Sequence, residues 1–309
     1  MAQLIERYED FASTNGVAIC LGNFDGVHLG HQKLLQTCLD VAKRQRLASM
    51  IFTFKPHPMK VLRPASAPKL LMTYEERREF LNQMGFDFIL EQEFTKEFAT
   101  ISAEKFTKEI LSQTLCAKEI IVGDNFTFGH MAKGNMALLK ASSDFHTTPV
   151  DVLTKENAPI NSTRIRKDIA EGRIESANVL LGREYFLRGE VVEGKKLGAQ
   201  LGFPTANLRT AREALPKNGI YFCRAKIFRS EVSFPAAVSI GTNPSILDAD
   251  SSIKIEAYLL DFSENLYGQQ LQLEFLKRHR DEMKFSNLEE LKTAIAADVL
   301  ELRKFFKAN

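Results

Sequence analysis

The sequence predicts an α/β protein in two parts: a parallel, doubly wound sheet with helices on both faces, then a small antiparallel sheet or barrel that ends in a helix. Three observations carry this. Over residues 17–153, short apolar runs alternate with stretches of helical periodicity, the pattern of a parallel sheet covered by helices. Near Gly182 the apolar period changes to two, with Gly, Pro, Asn and Asp turns between runs. At 309 residues the chain is long enough to bury a core in each part.

In the first part, strands are expected at 17–21, 49–54, 86–90, 119–122 and 147–153. After the first of them, Leu34, Leu35, Cys38, Leu39 and Ala42 recur with helical spacing. Thr73 and Glu76 have the spacing of a capping box and predict the start of a helix. Residues 164–182 carry no Gly/Ser or Pro enrichment and read as a helical connector. The domain boundary is therefore drawn at 182/183, giving parts 1–182 and 183–309. In the second part, "GEVVEG", "YFCRAKIF", "FPAAVSI", "IKIEAYLL" and "LQLEFL" are the strands. A second capping box, Ser286 with Glu289, opens a last helix whose apolar stripe runs through Leu288, Leu291, Ile295, Val299 and Leu302.

Formal net charge is +2 and no basic block stands out. This speaks against nucleic-acid binding, which usually needs a concentrated cationic face. The opening "MAQLIERYEDF" has no apolar signal core, and no run approaches the ~18 apolar residues of a membrane span. A cytoplasmic protein acting on small molecules, without nucleic-acid or membrane partners, is expected. Cys20, Cys38, Cys116 and Cys223 have no C-x-x-C spacing and read as reduced core residues.

A doubly wound sheet binds ligands at the carboxyl ends of its strands, and the unusual motifs cluster there. "GNFDGVHLGH" follows the first strand, "KPHP" the second and "GDNFTFG" the fourth. Glycines 22, 26 and 30 allow close backbone approach, and the N–H groups at a helix start attract anions. In a helix, His28 and His31 would share a face roughly 5–6 Å apart and could donate to neighbouring phosphates. A plain helix cap accounts for the same residues. Zinc needs further ligands, and no Cys or carboxylate cluster is near. "INSTRIRKDI" should open another helix, capped by Ser162 or Thr163, with Arg164 and Arg166 near a dipole that favours anions. With the histidine pair it would form a two-sided triphosphate clamp suited to nucleotidyl transfer, where alignment and charge neutralisation suffice. Asp124 and Asn125 lie at a strand end, and Phe126 and Phe128 are either stacking faces or core.

In "LGFPTANL", Pro204 fixes the backbone ahead of Thr205 and Asn207. In extended chain the hydroxyl and the amide face the same side, and both suit Mg²⁺, although a tight turn would use the same residues. Glu256 interrupts an apolar strand, and alternation leaves its face open because Lys254 shares it.

These motifs, together with "TFKPHP", "VGDNFTFG", "INSTRIR", "LRGEVVEG", "IGTNPS", "IEAYLLDF", "NLYG" and "RHRDEMKF", run in an order that resembles the bacterial bifunctional riboflavin kinase/FAD synthetases over nearly the whole chain. The resemblance implies a Rossmann-like nucleotidyltransferase domain followed by a β-barrel riboflavin kinase domain. It implies ATP-dependent phosphorylation of riboflavin to FMN by the second and adenylylation of FMN to FAD, with release of pyrophosphate, by the first. By motif, His28 and His31 correspond to histidines on the ATP phosphates, with Asn23 in the same turn. Asn125 falls in the adenylylation pocket, and Ser162, Thr163 and Arg166 in the phosphate-binding segment. In the kinase half Thr205 and Asn207 match residues that hold Mg²⁺ and nucleotide, Lys196 and Gly198 lie in the Gly-rich nucleotide loop, and Glu256 matches the general base. The family's Gly-Arg ahead of "LGFPTAN" stands here as Gly198-Ala199, its Ser as Asn161, and its Asp before "LYG" as Asn265. Two rivals are a nucleotidyltransferase for another phosphorylated metabolite and a non-catalytic flavin-binding regulator. The kinase motifs speak against the first, and His28, His31, Thr205, Asn207 and Glu256 against the second.

Overall fold

An uninterrupted apolar run such as Val17–Leu21 suits a strand covered on both faces, and all five of its residues are buried. In the computed structural model, which describes residues 1–12, 16–194, 197–228, 230, 232–242 and 253–308, it lies inside a six-stranded sheet. The strands are β1 (Gln3–Ile5), β2 (Val17–Leu21), β3 (Ala48–Lys55), β4 (Phe88–Glu93), β5 (Ala117–Gly123) and β6 (His146–Val150). They pair in parallel in the order β1-β4-β3-β2-β5-β6. The chain winds outward from β2 through β3 and β4, then returns to the other side of β2 at β5. The crevice at the carboxyl ends of β2 and β5 is therefore the topological switch point, where such sheets bind ligands.

Helix α1 (Leu29–Gln45) follows β2 and buries Leu34, Leu35, Cys38, Val41 and Ala42. Helix α2 (Tyr74–Asn82) opens with the expected capping box: Glu76 N donates to Thr73 Oγ1 at 3.1 Å and Thr73 N to Glu76 Oε2 at 2.8 Å. Residues expected at 86–90 and 147–153 pair instead at 88–93 and 146–150. The edge strand β1 escapes a periodicity argument because it is three residues long with two exposed. The same holds for a hairpin of β7 (Thr154–Lys155) and β8 (Ala158–Pro159), turned by Glu156 and Asn157 in left-handed conformation. Cys20, Cys38 and Cys223 are buried free thiols.

The period-two half closes into an antiparallel barrel of β9 (Tyr185–Val192), β10 (Ala206–Arg209), β11 (Gly219–Ile227), β12 (Ser233–Gly241), β13 (Lys254–Leu259) and β14 (Gln270–Arg280), in the order β10-β13-β12-β11-β14-β9. Closure removes the sheet edges, and alternate residues fill the interior: Tyr185, Leu187 and Val191 on β9, Ile255, Ala257 and Leu259 on β13. Two short helices precede it, α3 (Ser162–Ala170) and α4 (Ile174–Leu181), and α5 (Leu288–Ala308) follows it.

Two sequence expectations shift here. The last helix is capped by Asn287, whose Oδ1 accepts from Glu290 N at 2.9 Å, while Glu290 Oε2 accepts from Ser286 N at 3.0 Å; the cap pair is thus one residue later than Ser286 with Glu289. Its stripe is buried toward the C-terminal end, where Val299 and Leu302 join Phe222 and Leu260 with Phe203, Tyr258, Ile295, Phe305 and Phe306 packed around them, while Leu288 is exposed.

The described residues form two compact units, Met1–Ser162 and Thr163–Asn309. The connector helices thus group with the barrel, and α4 packs on β9 and β14. Asn178 stitches it there: Nδ2 donates to Phe275 O at 2.8 Å, and Oδ1 accepts from Tyr185 N at 2.7 Å. Among the described residues no helix is long and apolar enough to cross a membrane.

Candidate active sites

The turn between β2 and α1 is held in a conformation that few sequences tolerate. Phe24 (φ 50°), Gly26 (φ 83°) and Val27 (φ 36°) are left-handed, and Val27 is β-branched and fully buried. Such strain persists where surroundings over-determine it, and several contacts do so. Gly22 N donates to Phe52 O at 3.1 Å, and Asp25 Oδ1 accepts from Leu71 N at 2.9 Å. The Asp25 carbonyl accepts from Ser162 Oγ at 2.8 Å, and the Asn23 carbonyl from Arg77 Nη1 at 2.9 Å and Thr53 Oγ1 at 3.3 Å.

His28 is the N-cap of α1. Its Nδ1 accepts from His31 N at 3.3 Å, which puts the ring proton of the neutral imidazole on Nε2 as a donor. The two imidazoles stack with centroids 3.7 Å apart, and Phe24 meets His31 edge-on at 5.4 Å. His28 is extended rather than helical (φ −72°, ψ 171°), so the pair stacks instead of standing a helical step apart. Gly30 has to be small: a Cβ there would come within 3.2 Å of the His28 ring and 3.5 Å of Ile160 O.

Asn125 is exposed in the turn after β5, the strand beside β2, with its Oδ1 folded toward Gly123. Phe126 and Phe128, stacked at 5.7 Å, belong to the core with Phe106. In the "KPHP" turn, His57 N donates to Tyr74 Oη at 2.8 Å, and His57 caps the next short helix by accepting from Met59 N at 3.2 Å. Helix α3 begins at Ser162, one residue ahead of a Ser162 cap, so this hydroxyl serves the Asp25 carbonyl rather than the helix. Thr163, Arg164 and Arg166 lie on α3 in the second unit.

The second site lies across β10 and β13, where Asn207 pairs with Glu256 and Glu256 in turn with Ser239 of β12. Directly paired residues share a face, and this face is the outer one, opposite the buried Ile255 and Ala257. Burial raises the Glu256 carboxyl above the usual range, with nearby Lys254 pulling the other way. Closure of the barrel thus answers what alternation left open: Glu256 is half-buried beside an amide and a hydroxyl.

The "LGFPTANL" segment turns through Gly202 (φ 89°) and enters β10. Phe203 anchors it, its N–H donating to Gly198 O at 2.8 Å and its ring meeting Tyr258 at 5.7 Å. A Cβ on Gly194 would run into the Asn207 amide, and one on Gly198 into Phe203 O with Thr205 Oγ1 3.3 Å away. Thr205 and Asn207 therefore sit against close-approaching backbone. Lys196 lies outside the described residues.

The family model for FAD synthetase matches residues 10–164, and that for riboflavin kinase residues 181–306. A bifunctional riboflavin kinase/FMN adenylyltransferase of Buchnera aphidicola (subsp. Schizaphis graminum) is 36% identical over 293 residues, covering 94% of each chain. The chain belongs to this bifunctional family. Relatives of the same description from Escherichia coli K12 and Listeria monocytogenes are 34% and 35% identical, over 96% and 93% of this chain and 94% and 92% of theirs. A crystal structure described as a macrolide-efflux protein from Streptococcus pneumoniae has the same fold, with TM-score 0.87 and 29% identity over 98% of each chain.

The chain phosphorylates riboflavin to FMN and adenylylates FMN to FAD, as its two matched domains and its membership of this family require. Both chemistries use ATP with a divalent metal. Sequence reasoning missed Asp25, Arg77 and Ser239 as neighbours of the sites. Asp25 stands inside a quoted motif, and a polar residue amid buried ones was its signal. Arg77 and Ser239 are 54 and 17 residues from the Asn23 and Glu256 they stand beside, and no local pattern marks them.

Proposed function

We propose that the β2–α1 turn is the phosphate site of adenylyl transfer and that the outer face of β10–β13 carries riboflavin phosphorylation. In the first reaction a phosphate oxygen of FMN attacks the α-phosphorus of ATP and pyrophosphate leaves. His28 and His31, at the positive end of α1, would hold the phosphates as charge grows on the leaving group. Asn23 and Asn125 follow the neighbouring strands β2 and β5 at that carboxyl end, and the motif match assigns Ser162, Thr163 and Arg166 to phosphate binding. In the second, Glu256 takes the proton of the terminal ribityl hydroxyl as that oxygen attacks the γ-phosphorus of ATP and ADP leaves.

The donor chemistry at the second site fits a hard cation. Thr205 Oγ1 and the Asn207 amide oxygen would hold Mg²⁺, with Gly198 and Lys196 of the same loop on the nucleotide. Among the described residues no group of three or more His, Cys, Asp or Glu could hold a metal. Bound there, the ion would screen the charge of the phosphates. We assign adenylyl transfer to residues 1–182 and the kinase to 183–309, in the cytoplasm, with ATP, riboflavin and FMN as the substrates and neither nucleic acid nor membrane as partner.

The observation that carries the reading is that each half assembles its own set: a stacked histidine pair at the switch point of the sheet, and the Asn207–Glu256–Ser239 row on the barrel. Incubation with riboflavin, ATP and Mg²⁺ and separation of products by chromatography tests it. His28→Ala should accumulate FMN, and Glu256→Gln should leave riboflavin unconverted while still adenylylating supplied FMN.

A further inference from the structure

We infer that Arg77 is a positioning residue for adenylyl transfer: its buried guanidinium holds the peptide between Asn23 and Phe24 and so sets where His28 and the start of α1 stand. This rests on the phosphate-site reading of the turn. Arg77 is 4% exposed. The capping box fixes the start of α2, which aims Tyr74 and Arg77, one turn apart, at the carboxyl ends of β2 and β3. Nη1 donates to Asn23 O at 2.9 Å, and Nη2 to Phe54 O at 3.0 Å and to Glu91 Oε1 at 2.9 Å. Arg78 takes the other Glu91 oxygen, its Nε at 3.1 Å. Tyr74, whose ring lies 5.2 Å from the Arg77 guanidinium, accepts from His57 N, so α2 also braces the "KPHP" turn.

One rigid fork therefore fixes the turn after β2, the end of β3 and a carboxylate on β4. A buried ion pair is a weak means of stabilising a fold. What this one achieves is to pin two main-chain carbonyls, one of them on the peptide that leads into the left-handed Phe24. Arg77 Nε makes no hydrogen bond among the described residues. The side chain is thus arranged around those carbonyls at the expense of its own full satisfaction.

The test uses the full-length enzyme. Arg77→Lys keeps a cation near Glu91 but lacks the fork that reaches three acceptors, and Arg77→Met removes the cation. Since a turn misplaced by about 1 Å can cost about 10²-fold, kcat for FAD formation should fall by about 10–10²-fold, with KM for ATP and FMN changed less than about threefold. Pyrophosphorolysis of FAD should fall by the same factor, and FMN formation by the same molecules should not change. Thermal unfolding gives the folded fraction at the assay temperature, and rates are taken per folded molecule. A rate within about twofold of the parent enzyme, in either variant, overturns the inference. Should Arg77→Met fail to fold, Arg77→Lys and Glu91→Gln decide. Glu91→Gln keeps both carbonyl bonds and should keep its rate, and a loss equal to that of Arg77→Lys would assign the effect to the ion pair and overturn the positioning role. His28→Ala separates the two readings. Intact FAD formation in that variant sinks the phosphate reading itself, whereas loss there with a parent-like Arg77→Lys sinks only the role of Arg77.

Discussion

Replacing Asn178 with Ala should loosen the barrel unit while leaving the chemistry of both sites intact. The side chain satisfies two main-chain groups at once, Phe275 O at 2.8 Å and Tyr185 N at 2.7 Å, and so ties α4 to β14 and to the first residue of β9. Truncation leaves a donor and an acceptor without their partner, at about 1–3 kcal/mol each when buried. Asn178 is only partly buried, so water recovers part of this and about 2–3 kcal/mol is the working figure. For a unit the size of Thr163–Asn309 that corresponds to a fall in Tm of roughly 6–10 °C. Calorimetry of the full-length protein resolves the loss as a shift of one transition, with FMN and FAD formation below it at parent rates. A barrel-unit transition displaced by less than about 1 °C would refute the argument that α4 belongs to the folding unit of the barrel. The same argument bears on separability: residues 163–309 should convert riboflavin to FMN and stop there, whereas 183–309 lacks Asn178 and the buried Ile174, Leu180 and Leu181 and should melt well below it.

Three further outcomes are expected. Alanine at His28 or His31 should lower adenylylation by roughly 10²–10³ with FMN formation nearly untouched, and stoichiometric zinc lost from His28→Ala would instead make the pair a metal site. Glu256→Gln should lower riboflavin phosphorylation by roughly 10²–10⁴; in the parent enzyme, burial raises this carboxyl, so kinase activity should fail on acidification at a higher pH than an ordinary glutamate would allow. The stability sign follows: the folded state holds the Glu256 proton more tightly than the unfolded one, so its contribution is present below the unfolded pKa and lost as pH rises through the folded one. The Tm advantage of Glu256→Gln should therefore grow with pH, and a pH-independent difference would contradict the burial. Ala199→Arg should lower the KM for ATP in FMN formation without affecting adenylylation, by restoring a charge-assisted contact of about 1.5–3 kcal/mol where shielded; an unchanged KM would remove this turn from the nucleotide.

Residues close in sequence made most of the fold and the core of each candidate site legible. β2 is apolar throughout because both faces of the sheet are covered, and β9 and β13 alternate because a barrel has one filled side. The cap at Thr73 and the histidine pair depend on partners three residues apart, within reach of a pattern. In "SNLEE" two cap pairs overlap in spacing, and the structure uses Asn287 with Glu290 rather than Ser286 with Glu289. The tertiary structure alone decided the grouping of α4 with the barrel, the outer-face row of Asn207, Glu256 and Ser239, and the grip of Arg77 on Asn23. The physical reason is common to all three. Sheet register and buried hydrogen bonds join groups that sequence separates by 17 to 97 residues, and which distant partner satisfies a polar group is fixed only when the chain closes around it.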